Sequence, residues 1–128
     1  MLSQQSQVQD KIHSLDTRSK IVDAVPADAS FLKVVLGYFD PLHSGHVRRL
    51  RELCHRGEHI GVIVADPGDP ILPLAARAEL VAALDCVAYV IPAGRNIPEI
   101  PNAIDERESD AQRGRVFAQH VLARHNTK

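Results

Sequence analysis

Residues 31–46 read FLKVVLGYFDPLHSGH, and the way this stretch divides decides the fold. FLKVVL is dominated by β-branched and apolar side chains, as a strand requires, and Gly37 closes it. The next residues change character: Gly37–His46 holds two glycines, an aspartate and two histidines. From Ser44 onward, Val47, Leu50 and Leu53 or Cys54 share one helical face, Arg48, Arg49, Arg51 and Glu52 lie mostly elsewhere, and Gly57 supplies a stop. Ser44 is the expected N-cap. HIGVIVA, residues 59–65, is a nearly continuous apolar run, the pattern of a strand covered on both faces. Strand, helix and strand in this order predict a right-handed βαβ unit.

Reading outward, DPGDP turns the chain, PLAARAELVAALD predicts a second helix with Pro73 in its first turn, and CVAYVI predicts a third strand. Three parallel strands with helices between them define an α/β architecture. NIPEIPNAI carries Pro98 and Pro101, which leaves room only for a short fourth strand at an edge. A last helix is expected from about Asp105 to His125, with Asp105 and Glu108 spaced as a capping box and Phe117, Val121 and Arg124 along one side. Before the first strand, residues 1–28 read as a polar segment with a short amphipathic helix through Val8, Ile12, Leu15, Ile21 and Val22, ending near Pro26. Residues 29–128 form the single expected domain.

At 128 residues, 45% of them hydrophobic, the chain is long enough for one domain burying roughly two thirds of its unfolded surface. Fifteen Lys and Arg residues against sixteen Asp and Glu leave a formal charge of −1, which excludes a global positive field and argues against nucleic acid as a bulk partner. Cys54 and Cys86 lack disulfide-framework or zinc spacing and read as small hydrophobes in a reducing compartment, so the expected location is the cytoplasm. No apolar run approaches the ~20 residues of a membrane span, nor does the N-terminus resemble a signal peptide. The expectation is a soluble protein with no membrane partner.

The loop after the first strand of a parallel sheet opens at the carboxyl edge, where ligands of such folds bind, and here it runs into a helix N-terminus. Backbone N–H groups and the helix dipole favour an anion there, and Gly45 removes a side chain that would hold it off. His43 and His46, three residues apart, are expected to converge on one anion-sized hollow as hydrogen-bond donors. Two other readings stand beside this one. The pair could hold zinc, although a zinc site needs three or four ligands and no nearby spacing completes one, so no metal ligands are assigned. The histidines could also be solvated loop residues without a task.

The segment GYFDPLHSGHVRRLREL resembles the G-x-FD-x-x-H-x-G-H opening of the cytidylyltransferase-like nucleotidyltransferases, whose members include glycerol-3-phosphate cytidylyltransferase and the adenylyltransferase domain of ADP-heptose synthase. The resemblance runs through VAD, RAELVAAL and CVAYVI, about half the chain, and is strongest to the heptose-phosphate adenylyltransferases. It implies a Rossmann-like parallel sheet with flanking helices. It also implies attack by a phosphorylated sugar or polyol on the α-phosphate of ATP or CTP, with pyrophosphate leaving and magnesium assisting. Carried over by position, His43 and His46 would contact the triphosphate catalytically, while Gly37, Tyr38, Phe39 and Asp40, with Gly45, would form the nucleotide-binding loop. Arg77 matches the arginine opening the family's RAE-type helix.

Two features of the family are missing. The loop DPGDPILPLAAR has no lysine to reach the phosphates, and only Ser109 and Thr127 stand after Ile91 where relatives carry a Ser/Thr-rich signature. One preorganised donor to developing charge is worth about 2.7–4 kcal/mol, so the loss bears directly on turnover. Arg77 and Arg95 are candidate replacements. The alternative to an enzyme is thus a catalytically reduced nucleotide-binding or regulatory module of the same fold. The shortened C-terminal part also leaves the first strand as an expected edge, to be covered by NIPEI, by the last helix or N-terminal segment, or by a second subunit in a homodimer.

Overall fold

The computed structural model describes residues 16–126. Four parallel strands form one sheet in the order β3-β2-β1-β4: β1 Val34–Gly37, β2 Ile60–Ala65, β3 Val87–Gly94 and β4 Ile104–Asp105. Among the described residues three α-helices accompany them: α1 Ser44–Leu53, α2 Leu74–Ala82 and α3 Arg107–Asn126. The Rossmann-like α/β expectation is met. β1 pairs in register with β2, Val34 opposite Gly61 through Gly37 opposite Val64, so the carboxyl ends of both strands open at one edge.

Side chains alternate across the sheet and divide its core into two apolar clusters. Val35, Val62, Val64 and Val90 meet Leu50 of α1 and Ala78, Val81 and Ala82 of α2 on one face. On the other, Val34, Leu36, Ile63, Tyr89 and Ile91 pack under Val22, Val25, Leu32, Ile97 and Ile100, irregular chain rather than helix. All six residues of β2 are buried, as a strand covered on both faces demands. An irregular register between Ile60 and Gly61 lets Tyr89 swing onto the second face, directly over Gly61, where a Cβ would overlap the phenol ring.

The sequence expectations need four corrections. The first concerns β1: the expected short fourth strand is present at the sheet edge as Ile104–Asp105, and it pairs with β1 through Val35 opposite Ile104 and Leu36 opposite Asp105. β1 is therefore internal, and the open edge that motivated a dimer is closed within the chain. The end of the N-terminal helix is the second. Val8, Ile12 and Leu15 lie outside the described residues, but Ile21 forms an isolated parallel bridge with Val90, and the Val22 N–H donates to the Val90 carbonyl at 2.9 Å. Those two residues are extended and protect the outer edge of β3. Third, Ser44 is the first helical residue of α1, and His43 is the cap. Fourth, Asp105 accepts from the Arg107 N–H at 3.1 Å and pairs with its guanidinium at 2.8 Å, in place of the expected box with Glu108.

Cys54 and Cys86 pack against the first cluster as free thiols. Burial, with the neighbouring Cys86 thiol, pushes the Cys54 thiol up to about 12, so it stays protonated at neutral pH and behaves as the small hydrophobe its sequence context suggested.

Candidate functional site

β1 ends at Gly37, and the loop to α1 begins with a reversal at Phe39, whose φ of 49° is a left-handed value that non-glycine residues seldom adopt. Its ring is buried against the first core cluster, which supplies the packing that offsets this conformation. The reversal turns the N–H groups of Tyr38 and Phe39 toward one point. Successive amides arranged in this way form a concavity suited to an anion. Gly37 is required beside it, because a Cβ built there would fill the concavity and come within 2.9 Å of the Phe39 ring.

The histidines begin α1 as reciprocal caps. His43 Nδ1 accepts from the Gly45 N–H at 3.1 Å, and His46 Nδ1 accepts from the His43 N–H at 3.2 Å. An imidazole Nδ1 sits where Asn carries its Oδ1, two bonds from Cβ, which is why His can replace the usual Ser, Asp or Asn. Because both Nδ1 atoms accept, the bonding assigns the proton of each neutral ring to Nε2. The two rings lie 4.1 Å apart between centroids, and His46 also touches the Phe39 ring at 5.4 Å. The histidines are thus brought together as expected. The solvated-loop reading fails for His46, which is only 2% exposed.

The hollow at which His46 aims is lined by amides, as predicted, but it is filled by the chain itself. Asp110, in the first turn of α3, places Oδ2 2.8 Å from the Tyr38 nitrogen and 3.4 Å from that of Phe39, and Oδ1 3.0 Å from His46 Nε2. A buried carboxylate takes the place that a phosphate oxygen was expected to occupy. Immediately before α3, Glu106 pairs with Arg49 of α1 at 2.5 Å. Glu106 and Asp110, four apart at the start of α3, therefore meet Arg49 and His46, three apart on α1, as two acid–base pairs. Sequence reading missed Asp110, Glu106 and Arg49. Their only local signal was this matching spacing.

The remaining expected residues have other neighbours. Asp40 accepts from the Ile71 N–H at 2.6 Å and the Leu72 N–H at 2.8 Å, tying the histidine loop to the loop after β2. Arg77 is fully buried. Its guanidinium donates to the carbonyls of Tyr38 at 3.0 Å, Ala65 at 2.7 Å and Leu72 at 3.0 Å, and pairs closely with Asp66. It lies beneath the loop after β1 and faces backbone rather than solvent. Gly45 is in the first turn of α1, Ser44 beside it is exposed, and Arg95 is exposed just past the end of β3, at the same carboxyl edge. A shallow cleft lined by Tyr38, Asp105, Arg107, Glu108 and Ala111 opens beside the amides.

Among the described residues, no three His, Cys, Asp or Glu side chains gather as a metal site. The carboxylates nearest the loop, Asp40, Asp66 and Asp110, are each held by amides, Arg77 or His46. This donor set does not fit a protein-held magnesium ion.

Residues 34–124, which include the amide concavity, both histidines and Asp110, match the family description "cytidylyltransferase-like". The chain belongs to the cytidylyltransferase-like family. Among curated relatives, the bifunctional protein HldE of Hydrogenovibrio crunogenus is 37% identical over 103 residues, 73% of this chain and 20% of that protein. The HldE of Halorhodospira halophila is 39% identical over 71 residues, 48% of this chain and 15% of that protein. An FAD synthase of Halorhabdus utahensis is 47% identical over 66 residues, 45% of either chain. This member of the cytidylyltransferase-like family thus spans about a fifth of the first relative and less than half of the third. No helix among the described residues is long and apolar enough to cross a membrane.

Proposed function

We propose that this domain binds a nucleoside triphosphate, ATP or CTP, at the carboxyl edge of β1 and transfers its nucleoside monophosphate to a phosphorylated sugar or polyol. The observation that carries this reading is the pair of N–H donors from Tyr38 and Phe39, already holding a carboxylate that lies 3.0 Å from His46 Nε2. In the reaction, an acceptor phosphate oxygen forms a bond to the α-phosphorus, the bond from that phosphorus to the bridging oxygen breaks, and pyrophosphate leaves with the electron pair. The imidazole N–H groups of His46 and His43 would stabilise charge gathering on the phosphate oxygens, and Gly45 would let those oxygens approach the start of α1. Magnesium would arrive on the triphosphate and neutralise part of its charge; the protein's own residues supply hydrogen-bond donors. The names of the relatives point toward different acceptors, so the acceptor is assigned here only as a class. Two free cysteines suit a reducing, cytoplasmic setting.

A second reading, a nucleotide-binding module without turnover, is favoured by one observation: Asp110 fills the amide concavity. Calorimetric titration with ATP and CTP, followed by a pyrophosphate-release assay over sugar and polyol phosphates, separates the two. Release supports the transferase, binding without release supports the module, and no binding overturns both. His43→Ala is expected to weaken nucleotide binding about tenfold and to cost about 1 kcal/mol of stability through the lost cap, as read by titration and urea unfolding. Arg95→Ala should weaken nucleotide binding several-fold with stability unchanged, because Arg95 is exposed at the mouth. Unaltered affinity would remove it from the site.

A further inference from the structure

Two backbone amides donate to Asp110 Oδ2, and Oδ1 lies 3.0 Å from Nε2 of the buried His46 ring. Gly37 gives that carboxylate its clearance, since a Cβ would overlap Asp110 Oδ2 outright. The concavity thus accommodates an anionic oxygen closely, and the chain supplies one from 72 residues away. The helix that carries it is fastened at one end. Its first turn is held by β4, by the Glu106 N–H donating to the Leu36 carbonyl at 2.8 Å, by the Arg49–Glu106 pair and by Asp110 itself. Farther along α3, Val116, Val121 and Leu122 are exposed, at 60%, 42% and 60%. Apolar burial among the described side chains therefore does little to hold the helix down beyond that turn.

We propose that Asp110 is a built-in competitor for the phosphate cradle, and that a polyphosphate enters by exchanging with it, releasing the first turn of α3 from α1. This rests on the nucleotide reading above. In the exchange, the N–H groups of Tyr38 and Phe39 leave the carboxylate and donate to phosphate oxygens, and His46 Nε2 exchanges its carboxylate neighbour for one of them. The two amide bonds are conserved while the incoming group brings more charge than a carboxylate. Glu106 and Arg49 set how firmly the latch closes, because their pairing holds α3 where Asp110 reaches the cradle. The apparent affinity for polyphosphate is the intrinsic affinity reduced by the fraction of molecules in which Asp110 is out. A latch closed in nine molecules of ten costs about tenfold.

The test uses the full chain, with inorganic pyrophosphate and ATP as probes in calorimetric titrations of wild type, Asp110→Asn and Glu106→Gln, the fold being checked by circular dichroism. Asparagine keeps the shape of Asp110, but its amide group cannot both accept from the two backbone donors and place an oxygen beside His46 Nε2. Asp110→Asn is expected to bind pyrophosphate at least about tenfold more tightly than wild type, and Glu106→Gln to move the same way by less. In wild type, pyrophosphate should shift the amide resonances of Tyr38, Phe39 and residues 107–112 together. If Asp110 instead positions His46 for a ligand bound elsewhere, both variants bind equally or more weakly, and the latch is overturned. It is also overturned if the Tyr38 and Phe39 resonances shift while residues 107–112 do not. Should Asp110→Asn fail to fold, Glu106→Gln and the wild-type resonances decide the matter. If neither wild type nor variant binds either probe, the nucleotide reading fails and the latch with it; if wild type binds ATP and the variants gain nothing, only the latch fails.

Discussion

Arg77→Ala is expected to lower the stability of this domain by about 3–5 kcal/mol, a fall in melting temperature of about 12–20 °C. The side chain is fully buried, and its loss strands the carbonyls of Tyr38 and Ala65 and the partner carboxylate of Asp66 in one step. Arg77→Lys should recover less than half of the loss, because one ammonium cannot span acceptors at the ends of two strands and in the loop before α2. Urea unfolding of both variants measures this directly. A loss below about 1 kcal/mol for alanine would mean that water takes over the stranded acceptors, and that the loops are held by other contacts.

Gly37→Ala should produce the largest change at the site. The added methyl group overlaps the Asp110 carboxylate and presses on the Phe39 ring, so overpacking is expected to cost about 1–3 kcal/mol. The same methyl group occupies the space of any phosphate oxygen approaching the Tyr38 and Phe39 amides. Losing two charge-assisted bonds corresponds to a fall in pyrophosphate affinity of about a hundredfold or more. The sign is opposite to that expected for Asp110→Asn, although both variants unseat the same carboxylate. Unchanged pyrophosphate binding by a folded Gly37→Ala protein would show that the anion binds somewhere other than this concavity.

Much of the fold was legible because its signals are local. The apolar run of β2 and the sequence of strand, glycine, histidines and helix each depend on neighbours within a dozen residues, and the structure has these elements in the expected order, β2 within one residue of its expected bounds and β1 starting three residues later than expected. β4 was expected only as a short edge piece within NIPEIPNAI, and its exact place was not legible because two residues are too few to show a period of two. The cap was assigned to Ser44 because serine leads among capping residues, whereas His43 performs the task through a ring nitrogen. Arg77 read as a ligand because it matches the arginine opening the family's RAE-type helix; nothing near it in sequence announces its burial against the Tyr38 carbonyl. Asp110 was the hardest to foresee. Its placement follows from how α3 leaves β4, a tertiary outcome with no trace in the residues around the histidines.

Asp40 reaches across to the amides of Ile71 and Leu72 while Arg77 grips the carbonyls of Tyr38 and Leu72, so the segments following β1 and β2 are cross-braced in both directions. Two walls of the vestibule above the sheet are in effect cast as one piece, and neither can yield without breaking the other. If a polyphosphate enters by the exchange proposed above, adaptation to molecules of different girth falls to the third wall, where α3 begins, and the breadth of what this vestibule admits is set by how far one helical turn can swing.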